Sequence, residues 1–319
     1  MDLPHYINEG VGLPMFQGPY MQEDSKLAVF AFKADKAKLK AICDKYLNSI
    51  SSDEYHYTPL LSYVTMVYAD MTIYSLHEKE INIGKLHETD LAIWIPILVK
   101  KKVAGVYLPS HITYFLPYLF VDNPYAIATG REVYGFRKIH SIFQFSGDIT
   151  NPEFTVNNLV FKQFGADSRA EWDWVMKMQR VESNIHDKTA WNSAEEMYDY
   201  VMQQLKQQND ALSLDEKDEK QTKSLFNFKL SMPLIFLKQF PDIKNSEYAC
   251  YQKLVQANVT ITRFKRAARL AHKYKLHINE LESHPIIQQL GLKAESNVVT
   301  PSAAFWVNMD FSMDFGKEL

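Results

Sequence analysis

The sequence predicts an α+β protein built on an antiparallel β-barrel or cone, with helices on the outside. Apolar segments of strand length recur along most of the 319 residues, and short turns separate them, which is typical of antiparallel sheets. The chain contains 18 tyrosines and 19 phenylalanines, and aromatic side chains favour strands. Stretches with helical spacing, some led by a capping residue, interrupt the strands.

The strand predictions follow from alternating or continuous apolar runs that are bounded by turn residues. The predicted strands cover residues 26–33, 60–74, 92–99, 105–109, 125–129, 139–145, 154–161, 226–261 and 303–307, and the range 226–261 holds more than one strand. No segment repeats along the chain, so the sequence does not indicate a repeat architecture.

Three segments have the spacing of amphipathic helices. Asp35 is placed to cap a helix that runs to about residue 47, and Ser193 is placed to cap a second helix with an acidic first turn. In the third segment, residues 263–275, basic residues surround an apolar face with a helical period. We predict a surface helix there, and a binding site for a polyanion is the alternative.

The composition bounds the class of protein. A hydrophobic content of 46% and a charged content of 23% are ordinary for a globular protein, and a net charge of −3 argues against nucleic acid as a partner. No apolar run is long enough to span a bilayer and no signal peptide is recognisable, so we expect a cytoplasmic protein without a membrane partner. The isolated Cys43 and Cys250 predict neither a disulfide framework nor a metal site.

Residues 122–138 form the most informative stretch of the chain. An apolar segment, interpreted as a strand, leads into Gly130, Arg131 and Glu132, and Lys138 follows behind aromatic and glycine residues. The residues around this lysine are largely apolar, and burial disfavours the charged form of an amine. A lysine that is neutral at working pH can attack a ketone, although a solvated strand lysine is the ordinary interpretation of such a residue by itself.

This motif resembles that of the acetoacetate decarboxylase family, in which Gly-Arg-Glu precedes a lysine that forms a Schiff base with a keto acid. The resemblance continues along the chain in the order of the family. Gly18-Pro19-Tyr20 precedes a strand, an acidic residue leads into the apolar residues 91–97, and the segments 233–238 and 252–259 are similar to the closing strands of the family. The ordered set is more specific than any one of these motifs.

The resemblance implies a chemistry centred on Lys138. The lysine would condense with the ketone of a small β-keto acid, and the iminium would accept the electrons that carbon dioxide leaves behind. Glu88 or Asp90 would carry protons, and a solvated acid ahead of a strand is the alternative reading of either residue. The lysine itself supplies the electron sink, so neither a cofactor nor a metal is expected.

Four residues of the motif are candidates for substrate binding, namely Arg131, Glu132, Tyr134 and Phe136. The guanidinium of Arg131 can hold a substrate carboxylate in a bidentate manner. Equally, Arg131 and Glu132 can form a structural ion pair, and the sequence leaves both alternatives open.

Three positions depart from the pattern of the family. Its decarboxylases use an arginine at the position of Ser25, a glutamate at the position of Val64 and often a second lysine at the position of Ile139. Without that second lysine, burial, more than a neighbouring charge, has to keep Lys138 uncharged, and a tight pairing with a carboxylate that keeps it cationic would contradict this expectation. The departures leave two alternatives to decarboxylation: aldolase or dehydratase chemistry on 2-oxo acids through the same lysine, and a non-catalytic protein that binds a keto acid.

The resemblance also implies the organisation of the chain. Residues 1–319 are predicted to form one domain of the acetoacetate decarboxylase type, with peripheral helices and with Lys138 pointing into an apolar cavity. Residues 166–224 differ in character from the rest and are predicted to be a helical insertion relative to shorter members. A homo-oligomer and a small keto-acid substrate are the expected partners.

Overall fold

More than half of the residues described in the computed structural model, 3–7, 15–181, 189–207 and 230–319, lie in two β-sheets. The larger sheet holds, in spatial order, β2 (Tyr55–Pro59), β4 (Leu86–Val103), β3 (Tyr63–Ser75), β1 (Tyr20–Lys33), β15 (Ala303–Met313), β12 (Ala249–Arg269), β11 (Ser231–Pro241), β5 (Val106–Val121) and β6 (Lys138–His140), with β10 (Ala190–Trp191) and β16 (Lys317–Glu318) paired to β12. The smaller sheet holds β14 (Val298–Val299), β13 (Lys273–Ile278), β9 (Glu171–Val181), β8 (Glu153–Val160) and β7 (Ile142–Ser146).

The pairing in the larger sheet runs in a closed circuit. From β4 it passes antiparallel through β3, β1, β15, β12 and β11, and then in parallel to β5, which pairs antiparallel with β4 again. The circuit has an inner and an outer face because side chains alternate along each strand. The prediction of a mainly antiparallel β-structure with few helices is therefore confirmed.

The outer face packs against the smaller sheet and forms the main hydrophobic core. Phe30 on β1 contacts Phe154 and Tyr274 of the smaller sheet, with ring centroids 6.4 Å and 5.3 Å apart. Tyr68 on β3 stacks on Phe154 at 5.1 Å. All four side chains are buried, and aromatic pairs of this kind bury large apolar areas. The outer face therefore carries this core, and the inner face encloses a cavity.

The helices lie between the strands as short segments. They are α1 (Lys36–Cys43), α2 (Pro124–Thr129), α3 (Ala194–Gln207) and α4 (Ile286–Leu290), and the π-helical turns Asp44–Asn48 and Gly130–Tyr134 extend α1 and α2. The side chain of Asp35 accepts the backbone N–H of Lys38 at 3.0 Å, and that of Ser193 accepts the backbone N–H of Glu196 at 3.1 Å. Both predicted caps are confirmed. Within the described ranges, no helix combines the length and the apolar character needed to cross a membrane.

The prediction of a strand over residues 125–129 is wrong, because these residues form α2. The side chain of Asn123 accepts the backbone N–H groups of Tyr125 at 2.9 Å and Ala126 at 3.3 Å. Pro124 occupies the first helical turn, where the missing N–H leaves no hydrogen bond unmade. This cap and the proline outweigh the strand-like apolar composition of the segment.

The predicted surface helix over residues 263–275 is also wrong. The run crosses from β12 into β13, and both are strands. β12 pairs with β15 through two register shifts, one between Ile261 and Arg263 and the other between Phe264 and Arg266. Such irregularities interrupt the alternation of side chains along a strand, so the apolar residues here fall at intervals that imitate a helix.

Residues 166–224 are helical only in part. β9 lies inside the smaller sheet between β8 and β13, so the prediction of a helical segment is wrong for Glu171–Val181. The helix predicted from Ser193 is present as α3. Residues 182–188 and 208–224 lie outside the described residues, as do residues 226–229 of the predicted strands. The insertion itself and the single domain stay predictions.

Gly135 ends the second π-helical turn and lies against the backbone of β11. Its φ is +89°, and a Cβ on it would come within 2.5 Å of the Lys238 Cα. We expect Gly135→Ala to lower the free energy of unfolding by about 3 kcal/mol or more, because backbone strain and overlap add. The control is Gly105→Ala, at a φ of +83° with open space around its Cβ, which carries only a backbone cost of about 1–2 kcal/mol. Urea unfolding measures both losses, and equal losses would contradict the collision with β11.

Candidate active site

The inner face of the strand circuit encloses a cavity of about 160 Å³. A cavity of roughly 150 Å³ accommodates a molecule the size of benzene, so the volume suits a small organic ligand. The lining is mostly apolar and aromatic, and its charged members within the described residues are Glu88, Asp90 and Lys138. Both acids face inward from β4, whereas Leu91 and Ile93 of the same strand face the main core.

Lys138 is the first residue of β6, where the chain leaves the second π-helical turn and pairs in parallel with β5 opposite Leu119. The residue is 9% exposed and borders the cavity. Its side chain runs closely over Gly130, where an added Cβ would lie 2.8 Å from the lysine Cδ and Cε. The glycine and the lysine of the motif are therefore linked by a steric requirement.

The partner of Lys138 is Glu88. The lysine Nζ donates to Glu88 Oε1 at 2.7 Å. Glu88 is 1% exposed, and its Oε2 is buried without a hydrogen-bond partner among the described residues. The ring centroid of Phe136 lies 5.5 Å from the same Nζ. The two charges therefore compensate each other inside a largely apolar enclosure.

The structure differs from the expectation that burial, more than a neighbouring charge, acts on Lys138, because Glu88 is hydrogen-bonded to its nitrogen. A carboxylate partner favours the ammonium form, and an ammonium is not a nucleophile. Burial acts in the opposite direction, because it penalises both charges of the pair. Transfer of one proton from Nζ to Oε1 of Glu88 yields an uncharged amine and an uncharged carboxylic acid. The pair therefore holds both the proton that must leave and the group that can accept it.

Asp90 lies two residues after Glu88 and borders the same cavity. Burial raises the pKa of the Asp90 carboxyl well above its ordinary value, Glu88 raises it further, and Lys138 opposes the change. The Asp90 side chain is half-buried, and its exposed part borders the cavity. The site therefore combines a hydrogen-bonded carboxylate with a second acid that keeps its proton to higher pH.

Arg131 and Glu132 lie outside the cavity. Both are exposed, and neither borders the cavity. Arg131 Nη1 donates instead to the backbone carbonyl of Lys138 at 3.1 Å. The structure does not bring these two predicted substrate-binding residues to the cavity, and the ion pairs of the described residues do not join them. The cause is the π-helical turn, which buries Gly130 and Tyr134 and leaves Arg131 and Glu132 exposed.

Tyr134 and Phe136 border the cavity as part of its aromatic wall. The hydroxyl of Tyr134 donates to the backbone carbonyl of Asp314 at 2.9 Å, and burial raises the pKa of this hydroxyl. Phe136 packs on Phe236 with ring centroids 4.1 Å apart. These two residues shape the cavity, and the Tyr134 hydroxyl is already engaged by the backbone.

The positions that depart from the family pattern bring no charge to the cavity. Ser25 is fully buried beside an irregularity of β1, and its Oγ donates to the backbone carbonyl of Gln22 at 3.3 Å. Val64 faces away from the cavity and packs in the main core, and Ile139 packs against the same core. The described lining of the cavity therefore holds no guanidinium group.

The sequence analysis missed Gln22 and Trp94. Both border the cavity, and Oε1 of Gln22 and Nε1 of Trp94 are buried without a hydrogen-bond partner among the described residues. Unpaired buried polar atoms are costly and rare, so a bound ligand can restore a hydrogen bond at either atom. The alternation of side chains along β4 could have identified Trp94, because it points to the same face of the strand as Glu88 and Asp90.

The buried pair predicts a large coupling free energy. We expect Lys138→Met to lower the free energy of unfolding by about 3–5 kcal/mol at neutral pH, because Glu88 is left as an unpaired buried acid. Combining it with Glu88→Gln should recover most of this loss. Lys40→Met removes an exposed pair with Asp44 and serves as a control with little effect. Urea unfolding measures the losses, and a strictly additive double variant would show that the pair is not coupled.

The raised pKa of Asp90 predicts a pH-dependent stability. The unfolded chain releases this proton near the ordinary value, whereas the folded state keeps it, so the stability of the parent falls as pH rises above that value. The melting temperature of Asp90→Asn relative to the parent should therefore rise between about pH 4 and about pH 7. Asp53 is the control of opposite sign, because Lys102 lowers its pKa, so Asp53→Asn should fall relative to the parent as pH rises to about 5 and stay level above it. A pH-independent difference for Asp90→Asn would contradict the raised pKa.

The comparisons with known proteins bear on the fold. No family model matches this chain, and no curated protein matches its sequence. The acetoacetate decarboxylase of Legionella pneumophila is similar over 100% of this chain and 92% of its own chain, with 16% identity and a TM-score of 0.57. An acetoacetate decarboxylase-like enzyme from Sphingomonas wittichii is similar over 100% of both chains, with 8% identity and a TM-score of 0.56.

A third solved structure is the enduracididine biosynthesis enzyme MppR, bound to the condensation product of pyruvate and imidazole 4-carboxaldehyde. It is similar over 95% of this chain and 90% of its own chain, with 10% identity and a TM-score of 0.50. At these identities the likeness shows a common architecture. The fold predicted from the sequence is confirmed: this chain has the acetoacetate decarboxylase fold.

Proposed function

We propose that this protein is a Schiff-base lyase in which the amine of Lys138 condenses with the carbonyl group of a small substrate. The observation that carries the proposal is the buried lysine nitrogen at the cavity, 2.7 Å from Glu88. Buried ionisable groups with perturbed neighbours, such as Asp90, are typical of functional sites. The fold shared with acetoacetate decarboxylase supports an enzyme of this kind.

Release of the amine is the first requirement, and Glu88 is placed to meet it. The lysine proton passes to Glu88 Oε1, and a substrate that displaces water favours this uncharged state of the pair. The amine then adds to the carbonyl carbon to give a carbinolamine. Glu88 returns the proton to the hydroxyl of the carbinolamine, which leaves as water, and the iminium remains opposite the Glu88 carboxylate.

Asp90 is the proton donor of the later steps. For a β-keto acid, the iminium accepts the electron pair of the carbon–carbon bond as carbon dioxide leaves, and an enamine forms. Asp90 protonates the enamine carbon, because its raised pKa keeps a proton available. Water then hydrolyses the iminium and restores Lys138. The lysine is the electron sink in this scheme, so the proposed reaction uses no cofactor.

Aldolase or dehydratase chemistry through the same imine is the second candidate. The observation that favours it is the position of Arg131 outside the cavity, with a neutral, buried Ser25 where the decarboxylases have an arginine. A β-keto acid would therefore lack the bidentate partner that carboxylates commonly find in proteins. In a retro-aldol reaction, Glu88 would accept the proton of the substrate hydroxyl as the carbon–carbon bond breaks.

Borohydride trapping tests the imine directly. We expect incubation with acetoacetate, pyruvate or acetone, followed by reduction, to label the peptide that carries Lys138 with at least one of these compounds. An isopropyl adduct from acetoacetate would show that carbon dioxide is lost before reduction, and an adduct that keeps its carboxyl would not. Glu88→Gln should slow labelling by about 10²–10⁴-fold, because the proton acceptor is removed.

Two controls separate a specific imine from general lysine chemistry. Lys138→Met should abolish the label on that peptide. Lys238→Met, on β11 of the same sheet, should leave the label unchanged. Product analysis with β-hydroxy ketones then separates aldol cleavage from decarboxylation. If none of the carbonyl compounds labels Lys138, the proposal fails and a non-catalytic binding protein is the better account.

A further inference from the structure

The charges around the cavity identify the class of substrate. We infer that the site takes an uncharged carbonyl compound with an apolar chain, in preference to a short keto-acid anion. This inference rests on the Schiff base proposed for Lys138, and it concerns what the rest of the substrate must be.

The charge balance of the adduct is the first argument. Glu88 lies 2.7 Å from Lys138 Nζ, so it already supplies the one counter-ion that an iminium on this nitrogen needs. A substrate carboxylate would add an uncompensated negative charge beside two acids. No further cation lies in the described lining of the cavity, and burying an ion without a partner is costly. An uncharged substrate keeps the cavity neutral throughout.

The walls of the cavity are the second argument. Methionines contribute from three strands, with Met71 on β3, Met232 on β11 and Met309 and Met313 on β15. Methionine side chains are flexible and fill irregular space around apolar groups. A short keto acid has little apolar surface to place against them, whereas an alkyl chain gains from each buried methylene.

Two unpaired polar atoms supply the third argument. Trp94 Nε1 is a buried donor and Gln22 Oε1 is a buried acceptor, and neither atom has a hydrogen-bond partner among the described residues. An indole N–H can donate to any oxygen, whereas the Gln22 acceptor needs a donor, which a hydroxyl supplies and a carboxylate does not. The geometry therefore fits an uncharged compound that carries one further polar oxygen, such as a β-hydroxy ketone.

A retro-aldol cleavage of such a compound balances without any co-reactant. The iminium forms on Lys138 with loss of one water, and Glu88 accepts the hydroxyl proton as the bond between the α- and β-carbons breaks. The products at that point are an aldehyde and an enamine. A proton from Asp90 or Glu88 converts the enamine to an iminium, and one water releases the ketone and regenerates the amine.

A matched pair of probes tests the charge argument. Acetoacetate and its methyl ester carry the same keto group, and only the acid is an anion. Each trapping rate is divided by the rate at which the same compound reacts with a free alkylamine. On this normalised scale, we expect borohydride to trap the ester on Lys138 at least about tenfold faster than the acid. Methyl propyl ketone should likewise be trapped faster than acetone, because its longer chain gains more from contact with the apolar wall.

A variant reverses the preference if the inference is correct. Gln22→Arg places a cation at the cavity, so it should raise the normalised trapping rate of acetoacetate relative to the ester. Gln22→Met is the matched uncharged control and should not. The melting temperatures of both variants show whether they fold, and the comparison of acid with ester in the parent protein needs neither variant.

The outcomes distinguish this inference from the proposed function. Absence of any adduct on Lys138 would overturn both. Trapping of acetoacetate at a normalised rate equal to or above that of its ester would overturn only the inference about substrate class and would favour a keto-acid decarboxylase. Equal normalised rates for the two methyl ketones would overturn the inference that the substrate carries an apolar chain.

Discussion

The hydrogen bond between Lys138 Nζ and Glu88 Oε1 is the interaction on which the site depends. It pairs an amine with a carboxyl group inside a largely apolar enclosure, where neither charge has another hydrogen-bond partner among the described residues. Both groups sit on strands of the same sheet, because β4 carries the acid and β6 pairs with β5, the neighbour of β4. The distance is therefore set by sheet hydrogen bonding and not by a surface loop.

The circuit of strands separates packing from chemistry. Its outer face is covered by the smaller sheet and carries the main aromatic core, while its inner face borders the cavity. Strict alternation along β4 assigns neighbouring residues to opposite roles, so that Leu91 packs in the core and Asp90 borders the cavity. In a cavity with few polar groups, each charge interacts strongly with the others, because little solvent screens them.

Local patterns failed where short-range capping or a strand irregularity overrode them. Apolar residues after Asn123 read as a strand, but the asparagine cap and Pro124 begin a helix. Residues 263–275 read as a helix, but register shifts between β12 and β15 disturb the alternation that identifies a strand. In the motif, the same helical segment turned Arg131 outward, and a sequence pattern that assumes an extended chain cannot show this.

The sequence by itself determined the caps of α1 and α3 and a mainly antiparallel fold, because these depend on spacing within single segments. Its resemblance to a known family singled out Lys138 and offered Glu88 or Asp90 as the acid. Only the tertiary structure decided that Lys138 meets Glu88, which lies 50 residues away along the chain. It also decided that no arginine borders the described cavity and that Trp94 and Gln22 do. Contacts between distant segments set these features, since side chains from different strands become neighbours only when the circuit closes.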